Sequence, residues 1–280
     1  MKTLAVCFPF DLFGNAGTGA GAQLLADALR EMLADNRRET QPTRAQAYTG
    51  QVRLREISFE TLEQVQTWQA TARRLVQQAW ARGEFLVWLA GNHLGVLPLY
   101  EHLATQPDSL AVQLDAHLDI FNLADCTESL SHGNFLRHAR ALPRIINLAH
   151  RDLFLLPAAI DQYYAQAVPI EAYLAEPEAV LGRLRQSVRA ASGGVLLDID
   201  CDVFDPAYFP AVGHPQPFGL TPQQLLRVVA AVAGPNLRAL AISEFLPAAD
   251  MRDQSLRTLV WLIEWLLLRR YESKPLGPTP

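Results

Sequence analysis

Asp115, His117 and Asp119 lie two residues apart in LDAHLDIF, behind an apolar run, and Asp198 and Asp200 repeat that spacing in LLDIDCDVFDP. In extended chain, residues two apart point to the same side, so each stretch can present its polar groups together. His93 in LAGNH and Glu244 in ISEFLP follow two further apolar runs. The four carboxylates of Asp115, Asp119, Asp198 and Asp200, meeting without cations, would repel one another and suffer desolvation. Two divalent ions would cancel all four charges. With His93 and His117 as neutral imidazole donors, the set suits a pair of borderline metals such as Mn(II), bridged by water or hydroxide. The many oxygens and the lack of cysteine favour manganese over zinc.

Competing chemistries explain less. Asp198, Asp200 and Asp202 are spaced as in a calcium loop, but the sixth position is Val203 rather than Gly and the twelfth is Phe209 rather than Glu. An apolar run followed by DxD also marks aspartyl phosphatases; that reading leaves LDAHLD unexplained. His102 and His138 fall in helical segments and read as ordinary surface or core residues. Asp202 can face the site or cap a turn.

The elements that must position these groups are legible as alternation. TLAVCFPF precedes AQLLADALREMLA, FLVWLAG precedes VLPLYEHLA, and LAVQLDAH precedes NFLRHARAL. Short apolar runs followed by longer amphipathic segments predict β-α units and a parallel sheet covered on both faces. Further strands are expected at Arg144–Leu148, Val195–Asp200 and Leu237–Ser243, and helices at Thr221–Ala233 and Gln254–Tyr271. The fold class is therefore α/β: one doubly wound domain over residues 1–280, with a frayed tail at 273–280. Sites in such sheets gather beyond the carboxyl ends of the strands.

Composition bounds the rest. The chain has 280 residues, 50% hydrophobic and 19% charged, and a formal net charge of -5 with no Lys/Arg cluster, so no nucleic-acid surface is expected. Small molecules or copies of the chain itself are the expected partners. Cys7, Cys126 and Cys201 are odd in number and form no CxxC, which suits a reducing cytoplasm. Pro9 and Asp11 interrupt the apolar start before any cleavage site, so a first strand is expected rather than a signal peptide. Leu259–Leu268 is too short to span a membrane and carries Glu264; a buried helix is expected.

GNH at 91–93, DAHLD at 115–119, SHGNF at 131–135, DIDCDVFDP at 198–206, GHPQPFGLT at 213–221 and EFLPAAD at 244–250 occur in the order seen in the ureohydrolases. The chain resembles that family, which includes arginase and agmatinase, over nearly its whole length. The DAHxD plus DxD pairing is the specific part. The resemblance implies an arginase-like α/β/α sandwich with two Mn2+ per subunit, hydrolysing a guanidino C–N bond of a small substrate such as L-arginine or agmatine and releasing urea. One ion would be held by His93, Asp115, Asp119 and Asp198, the other by His117, Asp115, Asp198 and Asp200, with a bridging hydroxide as nucleophile. Glu244 would bind the guanidinium, and His132 would shuttle protons or merely fix a turn before Gly133. The family also implies a homo-oligomer, a trimer or hexamer.

Several positions depart from the family pattern. The family's Gly-Gly-x-His-Ser around the first ligand is Ala90-Gly91-Asn92-His93-Leu94 here, which loses the hydroxyl next to His93. After DxD the family runs Gly-x-Asp-Pro, whereas Cys201-Asp202-Val203-Phe204-Asp205-Pro206 is longer. His214 replaces a threonine, and Phe154 stands where arginases carry an acid. These departures keep two alternatives open: an amide or amidine hydrolase on the same fold, and a metal- or arginine-binding protein without turnover.

Overall fold

The computed structural model describes residues 2–272; the tail expected to fray, 273–280, lies outside the described residues. Eight strands, β1 (Thr3–Phe8), β2 (Val52–Glu56), β3 (Phe85–Ala90), β4 (Leu110–Leu114), β5 (Arg144–His150), β6 (Gln166–Pro169), β7 (Val195–Asp200) and β8 (Leu237–Ser243), form one sheet in the order β2-β1-β3-β8-β7-β4-β5-β6. Every pairing is parallel. The helices are α1 (Thr18–Arg38), α2 (Leu62–Gln66), α3 (Trp68–Ala81), α4 (Leu97–Leu103), α5 (Pro157–Ile160), α6 (Ile170–Ala175), α7 (Pro177–Ala190), α8 (Pro222–Val232) and α9 (Gln254–Tyr271).

β3, β4 and β7 are buried along their whole length. That is why they read as continuous apolar runs rather than alternating ones. Alternation reappears as a division between two cores. Val87, Leu89, Val112, Leu114, Leu197 and Ile199 pack with α1, α7, α8 and α9, while Leu86, Trp88, Ala111 and Leu196 pack with α3 and α4. Leu259, Leu262, Ile263, Leu266 and Leu267 bury the expected apolar helix α9, and its Glu264 accepts a hydrogen bond from the Tyr48 hydroxyl at 2.6 Å.

Two local readings are corrected, and two strands are added. NFLRHARAL forms only a single 3-10 turn, Phe135–His138, because Asn134 ties the preceding loop to itself through Ser131 N, Thr127 O and Ser129 O. The fifth strand continues to His150. The two edge strands, VRLRE and QAVP, carried no apolar run because each leaves residues toward solvent. By contrast Thr221 caps α8 as expected, in a reciprocal capping box with Gln224.

The strand order determines where chemistry can occur. β8 and β7 insert between β3 and β4, so the carboxyl ends of β3, β8, β7 and β4 lie side by side. His93, Glu244 and Asp115 follow the ends of β3, β8 and β4, and Asp200 is the last residue of β7.

Candidate metal centre

Height along the strands sorts the acids. In the β4–β7 register Asp198 stands level with Gln113. Asp115 and Asp200 therefore sit two residues further on, roughly 6–7 Å nearer the carboxyl edge. After Asp200 the chain makes a 3-10 turn over Cys201–Val203, in which Asp200 Oδ1 accepts from Asp202 N at 3.0 Å. The turn brings the next acid back beside β4, where Asp202 Oδ1 accepts from Ala116 N at 3.1 Å.

Two groups of donors result, His93 with Asp115 and Asp200, and Asp115 with His117 and Asp202, each with its atoms within 4.8 Å of one another. Asp115 belongs to both. Nδ1 of His93 lies 2.7 Å from Asp119 Oδ2, 3.2 Å from Asp200 Oδ2 and 3.3 Å from Asp115 Oδ2. Nδ1 of His117 lies 2.8 Å from Asp202 Oδ2. Five of the six residues expected as ligands thus meet in these two groups or at Asp119 beside them.

Asp198 does not. Its Oδ2 lies 2.8 Å from His93 Nε2, on the far side of the ring from the other acids, and accepts from Tyr100 Oη at 2.7 Å. Asp202, not Asp198, completes the second donor group. Counted from Asp200, the DxD is followed by Val203-Phe204-Asp205-Pro206, so the added length relative to the family pattern disappears.

The electrostatics call for cations. Burial, then the Asp119 and Asp202 carboxylates, push Asp115 up to about 7. Burial, Asp202 and Asp115 likewise raise Asp200 well above its ordinary value. Burial would lower His117, but Asp202 and Asp115 outweigh it and push the ring up to about 10. Asp202 resists burial because His117, Ala116 N and Arg151 hold it at about 2. Buried His93 Nδ1, Asp115 Oδ2 and Asp119 Oδ2 face one another with no hydrogen-bond partner. A cluster of buried acids and imidazoles that leaves its inner nitrogen and oxygens unpaired has the donor types and the charge for divalent ions.

A cavity of about 370 Å3 opens over the cluster, and Asp119, Asp200, His117, His132, His214 and Glu244 are among its lining. Glu244 is 2% exposed. Its Oε1 accepts from His93 N at 2.8 Å and lies 3.2 Å from His132 Nδ1, while Oε2 accepts from Asn15 Nδ2 at 2.8 Å. Glu244 (φ 63°) and Asp119 (φ 48°) hold left-handed backbone, an uncommon conformation for residues other than glycine. The loop after β1 closes the other wall: His132 N donates to Phe13 O, and Asn92 Nδ2 to Leu12 O. Asn15 and Tyr100 carried no sequence signal; Asp202 carried one in its distance from Asp205-Pro206. His214 stacks over His132 with ring centroids 6.1 Å apart, and Phe154 is 81% exposed beside an adjoining recess. A larger recess of about 530 Å3 lies at the amino ends of β3 and β8 and is lined by no His, Cys, Asp or Glu among the described residues, so it offers no comparable chemistry.

Comparison with known proteins follows the same outline. The Arginase family model matches residues 2–268. Over 189 residues the chain is 26% identical to the mitochondrial agmatinase of Gallus gallus, covering 64% of this chain and 55% of that one. The chain spans about half the length of the curated relatives it matches. The arginase of Bacillus subtilis superposes with a TM-score of 0.79 at 19% identity, covering 99% of this chain and 100% of that one. The formiminoglutamase of Trypanosoma cruzi, solved with Mn2+, gives 0.78 at 17% identity, covering 98% and 94%.

Proposed function

Because the chain belongs to the arginase family, we propose that it is a binuclear manganese hydrolase that cleaves a guanidino C–N bond and releases urea from a small substrate such as agmatine or L-arginine. The observation that carries this reading is the pair of donor groups sharing Asp115, set across one cavity from the buried carboxylate of Glu244. Its support in the relatives is that those matched include an agmatinase.

His93, Asp115, Asp119 and Asp200 would hold one ion, and His117, Asp115, Asp200 and Asp202 the other. Bound divalent ions supply Lewis acidity, neutralising the acids and lowering the pKa of water into the neutral range. The protein's own groups do the rest. Glu244 accepts N–H bonds from the planar guanidinium, which matches a carboxylate; the donors His93 N and Asn15 Nδ2 fix its plane beforehand. That contact aims the guanidinium carbon at the cluster. His132, held by Glu244, carries a proton to the leaving amine nitrogen as the C–N bond breaks. Without that proton the tail would leave as an unstable amide anion.

A neutral acyl group would have no use for a buried carboxylate partner, so Glu244 favours guanidine over amide substrates. The unpaired thiols of Cys7, Cys126 and Cys201 fit the cytoplasmic setting included in the proposal. So does a single 1–280 unit assembled as a homo-oligomer, with the exposed Trp261 on α9 available for a subunit contact. Reconstitution with Mn(II) and a urea assay on arginine, agmatine and guanidinobutyrate tests the function. Turnover of at least one is expected; turnover of none overturns it.

A further inference from the structure

We infer that Asp198 and Tyr100 form a positioning pair for His93, a role that rests on the metal centre proposed above. The carboxylate of Asp198 holds the ring by its Nε2–H, leaving the Nδ1 lone pair facing Asp115, Asp119 and Asp200. An ionised carboxylate only accepts, and its Oδ2 already takes the Tyr100 hydroxyl at 2.7 Å. The His93 nitrogen 2.8 Å from that oxygen is therefore the one that carries hydrogen. In a neutral imidazole the other nitrogen is then the donor to an ion.

The surroundings leave the ring no second choice. Phe135 packs edge-on against it at 4.9 Å. Asp198 is fully buried, and among the described residues His93 and Tyr100 are its hydrogen-bond partners, with Oδ1 unpaired. A buried carboxylate with so few partners is expensive to keep. Its position gives the expense a use, because a carboxylate behind a ligating histidine sets the tautomer and raises the basicity of the ligand nitrogen. The strand supplies the offset: Asp198 and Asp200 point to the same side of β7, one behind the imidazole and one in front of it.

Calorimetric titration of Mn(II) into the EDTA-stripped full chain tests this. The unaltered chain should take up two ions. Asp198→Asn, which keeps the volume and loses the charge, should still take up two at saturation, with one bound about 10- to 100-fold more weakly and the other unchanged. Tyr100→Phe should weaken the same ion by less. An Asp198→Asn chain that lacks one ion at saturating Mn(II) would make Asp198 a ligand and overturn the inference. Both variants binding as the unaltered chain would overturn it too. If Asp198→Asn does not fold by circular dichroism, Tyr100→Phe decides alone: selective weakening of one ion supports the role and unchanged affinity removes it. An unaltered chain that takes up no Mn(II) would instead overturn the metal centre, and this role with it.

Discussion

Asp115 is common to both donor groups, and burial with the Asp119 and Asp202 carboxylates pushes it up to about 7, a cost that the proposed cations would offset. Asp202 is the residue whose position changes the proposed ligand set most. Asp202→Ala should lower Mn content from two ions per chain to one, measured by elemental analysis after dialysis against a weak chelator. His132 touches Glu244 but lies outside both donor groups, so His132→Gln should cut urea production by about 10²–10⁴-fold and leave metal content unchanged. A loss of metal would refute the separation of roles. Away from the site, His102 is edge-on to Trp80 at 5.1 Å with a buried, unpaired Nε2, and burial lowers its pKa. The fold favours the neutral ring, so this contribution to stability is complete above 6.5 and is lost as pH falls through the lowered value. Urea denaturation at pH 7.5 and 5 should show a smaller drop for His102→Gln than for the unaltered chain.

At the scale of elements, the site depends on how tightly the β3 end packs against the loop after β1. A Cβ at Gly91 would lie 2.4 Å from Phe10 O, a contact with backbone that no rotamer relieves. Gly91→Ala should therefore cost about 1–3 kcal/mol in chemical denaturation and weaken the ion held by His93, its near neighbour in the chain. Full stability with full metal affinity would show that the strand end tolerates displacement. The central strands and helices α1, α8 and α9 were legible because burial on both faces, or a helical period with a cap, leaves a mark in composition. NFLRHARAL was misread because its period is helical while Asn134 commits the loop to other bonds. The edge strands were missed because pairing on one side demands no apolar run.

For the whole molecule, the proposed metal centre would act on stability as well as on reaction. Four carboxylates buried together oppose folding by mutual repulsion and desolvation, so if they hold Mn(II) as proposed, the ion at about 100 times its Kd should stabilise the chain by about 2.7 kcal/mol per independent site. Calorimetry of stripped and reloaded protein reads this as a higher Tm with Mn(II); equal Tm values would mean that the acids do not hold ions. The sequence by itself determined that the chain makes a parallel α/β sheet and that acids and imidazoles leave the carboxyl ends of its strands, since burial and side-chain alternation are local consequences of residue type. It also placed His93, Asp115, His117, Asp119 and Asp200 among the candidates. Which of Asp198, Asp200 and Asp202 reaches the cluster was decided only in the tertiary structure. Spacing along one strand tells which side a residue faces, but its height relative to β4 depends on the register of two strands whose partners, such as Gln113 and Asp198, are 85 residues apart in sequence and on the 3-10 turn that folds Asp202 back.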